Sequence, residues 1–194
     1  PGNQKSDLDS FLSKKKGALK ILTLNDIHIQ HNYKVGGRVD CGDSGGCCSD
    51  VSDHNLAPEN QAGFWGTRRG NCDIPAKTFE ETIKFIKENV DFDILVVLGD
   101  LIWNGKSRVS ELGANEVLIL PINGNHETEF IDYENYDDQN DFVKQGMLSE
   151  FERFIGASGV EEMQSRGYYE VVDSERKVRF IGVDSNFNSV FNSY

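Results

Sequence analysis

The sequence predicts an α/β fold built on a mixed, mostly parallel sheet. Three apolar runs of strand length, at residues 18–24, 92–98 and 116–122, each end in a polar cluster. A segment with apolar residues at helical spacing separates the first two runs, which is the pattern of a parallel strand pair joined by a helix. Continuous apolar runs are typical of parallel strands that are covered on both faces.

The composition is that of a folded, soluble protein. Of the 194 residues, 38% are hydrophobic and 27% are charged, which suits one domain with a real core. The formal net charge of −12 argues against nucleic acid as a partner, because phosphate backbones bind clustered Lys and Arg. No apolar run reaches the roughly 18 residues of a transmembrane segment. The first residue, Pro1, and the lack of a signal-peptide core indicate a processed or truncated product.

The first apolar run predicts a buried strand that opens into a loop at Asn25 and Asp26. Residues 30–74 show little periodicity and predict a long insertion loop, which cross-links would pin. It contains all of the cysteines, namely Cys41, Cys47, Cys48 and Cys72. They indicate two disulfides in an oxidising compartment or one zinc site in a reducing one. Disulfides are favoured, because the adjacent pair lacks the C-x-x-C spacing of a zinc knuckle.

The later elements follow from hydrophobic periodicity. Pro75, followed by Thr78-Phe79-Glu80-Glu81, opens a segment in which apolar residues at helical spacing from Phe79 to Val90 predict a helix of about four turns. The acidic stretch from Glu127 to Asp141 is interpreted as a solvated loop. The remaining elements are predicted as strands at 92–98 and 116–122, a second helix at 139–154, and a hairpin of 168–172 with 178–183.

Polar clusters follow three separate strands: Asp26-Ile27-His28, Gly99-Asp100 and Gly124-Asn125-His126-Glu127. Because the carboxyl ends of parallel strands share one edge of a sheet, these three loops should converge. Carboxylate, imidazole and amide oxygen ligands suit zinc, manganese or iron. A carboxylate such as that of Asp100 can bridge two ions roughly 3.5–4 Å apart, the spacing of two-metal phosphoryl-transfer sites.

D-x-H, G-D and G-N-H-E in this order resemble the signature of the metallophosphoesterases, the calcineurin-like superfamily. The intervening loop narrows the resemblance to acid sphingomyelinases, from about Leu22 to Asn186. The elements that carry it are His31 and Tyr33 after the D-x-H, Cys41 and the Cys47-Cys48 pair, Gly63-Phe64-Trp65-Gly66, and Cys72-Asp73 before Pro75. The sphingomyelinase-like phosphodiesterases typically lack the cysteine pair and have Asp where this chain has Glu127.

The resemblance implies the amino-terminal half of a four-layer α/β/β/α sandwich and a site for two divalent ions, expected to be Zn²⁺. Asp26, His28 and Asp100 would hold the first ion, and Asp100 with Asn125 the second. His126 would be the general acid that protonates the leaving oxygen. His31 would lie beside the substrate or behind the ligands, unless it is an ordinary solvated histidine. The resemblance also pairs Cys41 with Cys47 and Cys48 with Cys72.

The implied reaction is hydrolysis of a phosphodiester, with sphingomyelin cleaved to ceramide and phosphocholine in the complete protein. A choline phospholipid substrate implies transient contact with a membrane surface, and the family implies a secreted or lysosomal protein. Trp65 would face the choline cation or clamp the loop. Two alternatives stay open: a phosphodiesterase acting on nucleotides or other small molecules, and an inactive truncated paralogue.

The sequence departs from the family in three places. The residues after Gly99-Asp100, Leu101 to Asn104, lack the histidine that sphingomyelinases carry there. Gln30 and Asn32 stand where the family tends to be acidic. His126 is the last histidine of the sequence, so the later histidines that complete the family's metal site are absent and the second ion site is expected to be incomplete.

Overall fold

A computed structural model describes residues 17–42, 47–51, 55–100, 118–127, 142–174 and 177–186. The chain divides into two compact units, one comprising Pro1–Asp26 with Asp91–Tyr194 and the other Ile27–Val90. The elements in chain order are β1 (Ile21–Leu24), β2 (Ile29–Gln30), β3 (Ile74–Pro75), α1 (Ala76–Asn89), β4 (Ile94–Val97), β5 (Leu118–Pro121), α2 (Phe142–Arg166), β6 (Tyr168–Asp173) and β7 (Val178–Val183).

The first unit contains a parallel sheet in the order β1-β4-β5. Ile21 pairs with Ile94, which pairs in turn with Leu118, so the three strands end at the same level. All four residues of β5 and three of the four in β4 are buried, as their continuous apolar sequences predict. This sheet confirms the predicted α/β fold.

β1 differs from the buried strand predicted for this segment. Its residues alternate between exposed and half-buried, and Ile21 is 51% exposed. Successive side chains of a strand point to opposite faces of the sheet, so the alternation shows that one face of β1 is more exposed than the other.

The second predicted helix corresponds to α2, which lies in the first unit and extends to Arg166 instead of ending at 154. It consists of two helical segments joined at Gly156, whose φ of 75° lies in the left-handed region that glycine tolerates. Both segments bury apolar residues, including Phe151 and Met163, and α2 packs against β5 and β6. Glycines at 156 and 159 weaken the helical pattern, which is why the prediction stopped short.

The predicted hairpin is confirmed as an antiparallel pair of β6 and β7, with Tyr168 opposite Val183. β6 buries Tyr169, Val171 and Asp173, which alternate along the strand as period-2 geometry requires. Residues Ile181 and Val183 of β7 are 59% and 58% exposed.

The second unit contains a short parallel pair, β2 and β3, in which Ile29 is opposite Ile74. The helix α1 begins directly after Pro75, as predicted, and has 14 residues. It buries Phe79 and packs against β2 and β3. The predicted insertion, 30–74, lies within this unit. None of the described helices combines the length and apolarity needed to cross a membrane.

Candidate active site

Three candidate residues of the first unit follow the three parallel strands. The N–H of Asp26, after β1, donates a 3.2 Å hydrogen bond to the carbonyl of Gly99, after β4. The N–H of Ile122, after β5, donates a 2.7 Å hydrogen bond to the carbonyl of Val97. The ends of all three strands are therefore joined at one edge of the sheet, where the sequence places Asp26, Asp100 and Asn125.

Two glycines allow the loops after β4 and β5 to approach each other. A Cβ added to Gly99, whose φ is +83°, would lie 2.0 Å from the backbone nitrogen of Gly124. A Cβ added to Gly124 would lie 2.2 Å from Oδ1 of Asp100. Neither position has room for a side chain, so both motifs need their glycine for contact between loops.

The half-buried Asp100 and His126 meet in this contact. The backbone N–H of His126 donates a 2.9 Å hydrogen bond to Oδ1 of Asp100. A carboxylate oxygen of Asp100 and an imidazole nitrogen of His126 lie within 4.8 Å of each other. A carboxylate and an imidazole this close can act on the same bound ion or phosphate group. Asn125, the other ligand predicted from this motif, is half-buried in the same turn.

Three of the predicted ligands have an unusual backbone conformation. Asp26, His28 and Asp100 have φ values of 59°, 50° and 51°, in the left-handed region. Residues other than glycine seldom adopt this region, although Asp and His are among those that do so more often. Such conformations cluster at functional sites, because surrounding contacts must hold them in place.

Glu127 is a site residue that the sequence analysis missed. It is 1% exposed, and its Oε2 accepts hydrogen bonds of 2.7 Å from the backbone N–H groups of Asp100 and Gly124. The interpretation of the acidic stretch as a solvated loop is therefore wrong at Glu127, and residues 128–141 lie outside the described residues. The sequence feature that could have indicated this role is the position of Glu127 one turn after Gly124, where a side chain can fold back on its own loop.

His28 and His31 lie in the second unit. His28 is half-buried, and its carbonyl accepts a 3.1 Å hydrogen bond from the N–H of Ile74, next to the β2–β3 pair. His31 is exposed in the turn after β2. The hydroxyl of Tyr33 donates a 2.8 Å hydrogen bond to the carbonyl of Gly63, and burial raises the pKa of this tyrosine. Tyr33 thus links the loop after β2 to the Gly63–Gly66 turn.

The cysteines form two disulfides, Cys41–Cys47 and Cys48–Cys72, with Cα–Cα distances of 5.5 and 5.8 Å. This is the pairing that the family resemblance implies, and no cysteine is left for a zinc site. Cys48 packs in a small core with Val39 and Ala62. The disulfides therefore support a loop that contains little regular structure.

Gln30 also supports this loop, although the family tends to be acidic there. It is 2% exposed, and its Nε2 donates hydrogen bonds to the carbonyl of Cys47 at 2.6 Å and to Oδ1 of Asn32 at 3.0 Å. Its Oε1 accepts a 3.2 Å hydrogen bond from the N–H of Asp73. An amide both donates and accepts, whereas an ionised carboxylate only accepts. The departure from the family therefore matches this particular set of partners.

Trp65 is 58% exposed, and its ring meets that of Phe64 edge to face at a centroid distance of 4.8 Å. The contact that ties this turn to α1 is made by its carbonyl, which accepts a 2.9 Å hydrogen bond from Oγ1 of Thr78. The indole ring is thus not buried as a clamp.

A protein-family model and several known proteins match this chain. Residues 19–187 match the family model of calcineurin-like phosphoesterases. The chain is similar to sphingomyelin phosphodiesterase 2 of Caenorhabditis elegans, with 38% identity over 101 residues, and to sphingomyelin phosphodiesterase 1 of the same organism, with 34% identity over 84 residues. These alignments cover 44% and 43% of this chain and 16% and 14% of the two worm proteins.

A human relative, sphingomyelin phosphodiesterase, is 25% identical over 191 residues. That alignment covers 88% of this chain and 30% of the human protein. The chain therefore spans less than a third of the length of each of these relatives.

Proposed function

Because the chain belongs to the calcineurin-like phosphoesterase family, we propose that it forms part of a metal-dependent phosphodiesterase. The observation that carries the proposal is the contact between the loops after β4 and β5, which holds the carboxylate of Asp100 beside the imidazole of His126. Metal-dependent hydrolysis of a phosphodiester uses a metal ligand and a proton donor. In this contact Asp100 would be the ligand and His126 the proton donor.

The donor set fits divalent ions, since it combines carboxylates, imidazole and amide oxygen at the ends of parallel strands. Asp26, His28 and Asp100 would hold one ion, and Asp100 with Asn125 a second, with zinc as the proposed metal. When bound, such ions activate water and neutralise charge on the phosphate. The imidazole of His126 would donate a proton to the leaving oxygen. The backbone N–H of the same residue keeps one oxygen of Asp100 in place.

The proposed substrate is a choline phospholipid of the sphingomyelin type. Support comes from the relatives, which are sphingomyelin phosphodiesterases by name. The exposed indole of Trp65 offers an aromatic face of the kind that binds quaternary ammonium groups. Two disulfides suit an oxidising compartment, so we propose a secreted or lysosomal protein that contacts membranes transiently.

The test compares two substrates with the native full-length protein. Phosphocholine release from sphingomyelin vesicles is measured beside cleavage of a nucleotide phosphodiester, with and without a chelator. We expect turnover of sphingomyelin that the chelator and Asp100→Asn abolish. Turnover of the nucleotide alone would favour the alternative substrate class. Absence of turnover on both substrates in protein that binds zinc would favour the inactive paralogue.

A further inference from the structure

The side chain of Glu127 joins the two loops that carry Asp100 and His126. A single carboxylate oxygen accepts hydrogen bonds from the N–H of Asp100, after β4, and the N–H of Gly124, after β5. The N–H of Glu127 also donates a 3.3 Å hydrogen bond to the carbonyl of Gly124, which closes the turn. The ends of two neighbouring strands are therefore tied together by one buried oxygen.

Two features of this arrangement are energetically unfavourable unless hydrogen bonds support them. A carboxylate that is 1% exposed is unfavourable unless hydrogen bonds replace its water, and backbone N–H groups do so here. The residue that receives this support, Asp100, has a φ of 51°, which its surroundings must hold in place. The bond from Asp100 N–H to Glu127 therefore acts directly on the strained peptide unit.

The contacts continue from Glu127 to the proposed chemistry. Glu127 holds the backbone of Asp100, and Oδ1 of Asp100 accepts the hydrogen bond from the N–H of His126. His126 directly precedes Glu127, so the three residues form a closed ring of contacts. Movement of Glu127 would shift the direction of the Asp100 carboxylate and the position of the His126 backbone together.

We propose that Glu127 is a positioning residue of the metal site, an inference that rests on the function proposed above. It sets the affinity and geometry of the site by fixing the backbone of Asp100, and it contacts neither metal nor substrate. Positioning residues behind metal ligands typically change affinity about 10–100-fold when removed.

The test is a Co²⁺ titration of the 194-residue chain, read by the visible absorption of the bound ion, which reports coordination geometry. Glu127→Ala removes the acceptor and should weaken Co²⁺ binding about 10–100-fold and alter the spectrum. Glu127→Gln keeps a side-chain oxygen at the same distance from the backbone, so this variant should bind Co²⁺ with most of the wild-type affinity. The matched control is Asp173→Asn, a buried carboxylate on β6, which should change neither affinity nor spectrum.

Amide hydrogen exchange of Asp100 and Gly124 provides a second readout that needs no metal. Both amides should lose protection in Glu127→Ala and keep it in Glu127→Gln. If Glu127→Ala does not fold, Glu127→Asp replaces it, since its shorter side chain cannot reach both donors. Unchanged Co²⁺ affinity and spectrum in a folded Ala or Asp variant would overturn the inference. If the wild-type chain binds no Co²⁺, the proposed metal site fails, and unchanged amide protection would then refute the positioning role separately.

Discussion

The N–H of His126 donates a hydrogen bond to Oδ1 of Asp100 across a separation of 26 residues. The backbone of His126, the candidate acid, is thus bonded to the side chain of Asp100, the candidate bridging ligand. The imidazole of His126 takes no part in this bond. Changes that move either loop should therefore affect metal binding and proton transfer together.

Gly124→Ala should disrupt this contact, because the added Cβ would lie 2.2 Å from Oδ1 and 2.5 Å from the backbone nitrogen of Asp100. We expect the free energy of unfolding to fall by about 1–3 kcal/mol, as for other overpacked sites, and Co²⁺ affinity to fall with it. Thermal denaturation and Co²⁺ titration measure both. The matched control is Gly159→Ala in α2, where the three atoms nearest to the new Cβ belong to the side chain of Ile155, at 3.0–3.4 Å, and affinity should not change. Wild-type affinity in Gly124→Ala would refute the close approach of the loops.

The two disulfides should contribute unequally to stability. Cys48–Cys72 closes a sequence separation of 24 residues and Cys41–Cys47 one of 6. Chain entropy then assigns them about 3.5 and about 2.4 kcal/mol of unfolding free energy. Urea unfolding of the Cys48→Ala/Cys72→Ala and Cys41→Ala/Cys47→Ala double variants measures the difference. Thiol labelling of the denatured, unreduced wild type should find no free thiol, and labelling at all four positions would contradict the pairing.

Gln30→Glu should destabilise the chain even though it restores the acidic character of the family. A carboxylate cannot donate to the carbonyl of Cys47 or to Asn32, so the buried Cys47 carbonyl loses this donor. The expected loss is about 1–3 kcal/mol of unfolding free energy, measured by urea denaturation near neutral pH. Gln61→Glu makes the same chemical change at an exposed site and should cost much less. Equal stability of Gln30→Glu and the wild type would mean that the hydrogen bonds of the Gln30 amide do not contribute to the free energy of unfolding.

Much of the fold could be predicted from local pattern. Strands β4 and β5 lie inside their predicted apolar runs, and α1 follows Pro75 as the helical spacing indicates. The pair of β2 and β3 escaped prediction, because two residues per strand are too few to show periodicity. The second segment of α2 escaped it because Gly156 interrupts the helix.

The candidate site was predictable only in part. Asp26 and Asp100 follow apolar strands, so their common edge could be deduced from parallel topology. The role of Glu127 could not, because charged residues in an acidic stretch are usually solvated. Its burial depends on the N–H of Asp100, which lies 27 residues earlier and becomes a partner only when the sheet forms.

Equilibrium dialysis of the 194-residue chain against Zn²⁺ tests most directly whether Asp100 anchors a divalent-metal site. The proposed ligands give three protein groups to the first ion, Asp26, His28 and Asp100, but only two to the second. We therefore predict at most one weakly held Zn²⁺ per chain and negligible turnover of a chromogenic phosphodiester.

The decisive comparison is between Asp100→Asn and Asp93→Asn in this measurement. Asp100→Asn keeps an oxygen for the N–H of His126 but loses the charge, so it should abolish zinc binding without unfolding the chain. Asp93→Asn makes the same change before β4, where Oδ2 accepts a hydrogen bond from the N–H of Lys20, and should bind Zn²⁺ like the wild type. Two tightly bound ions in the wild type, or equal zinc binding by Asp100→Asn and the wild type, would contradict the account.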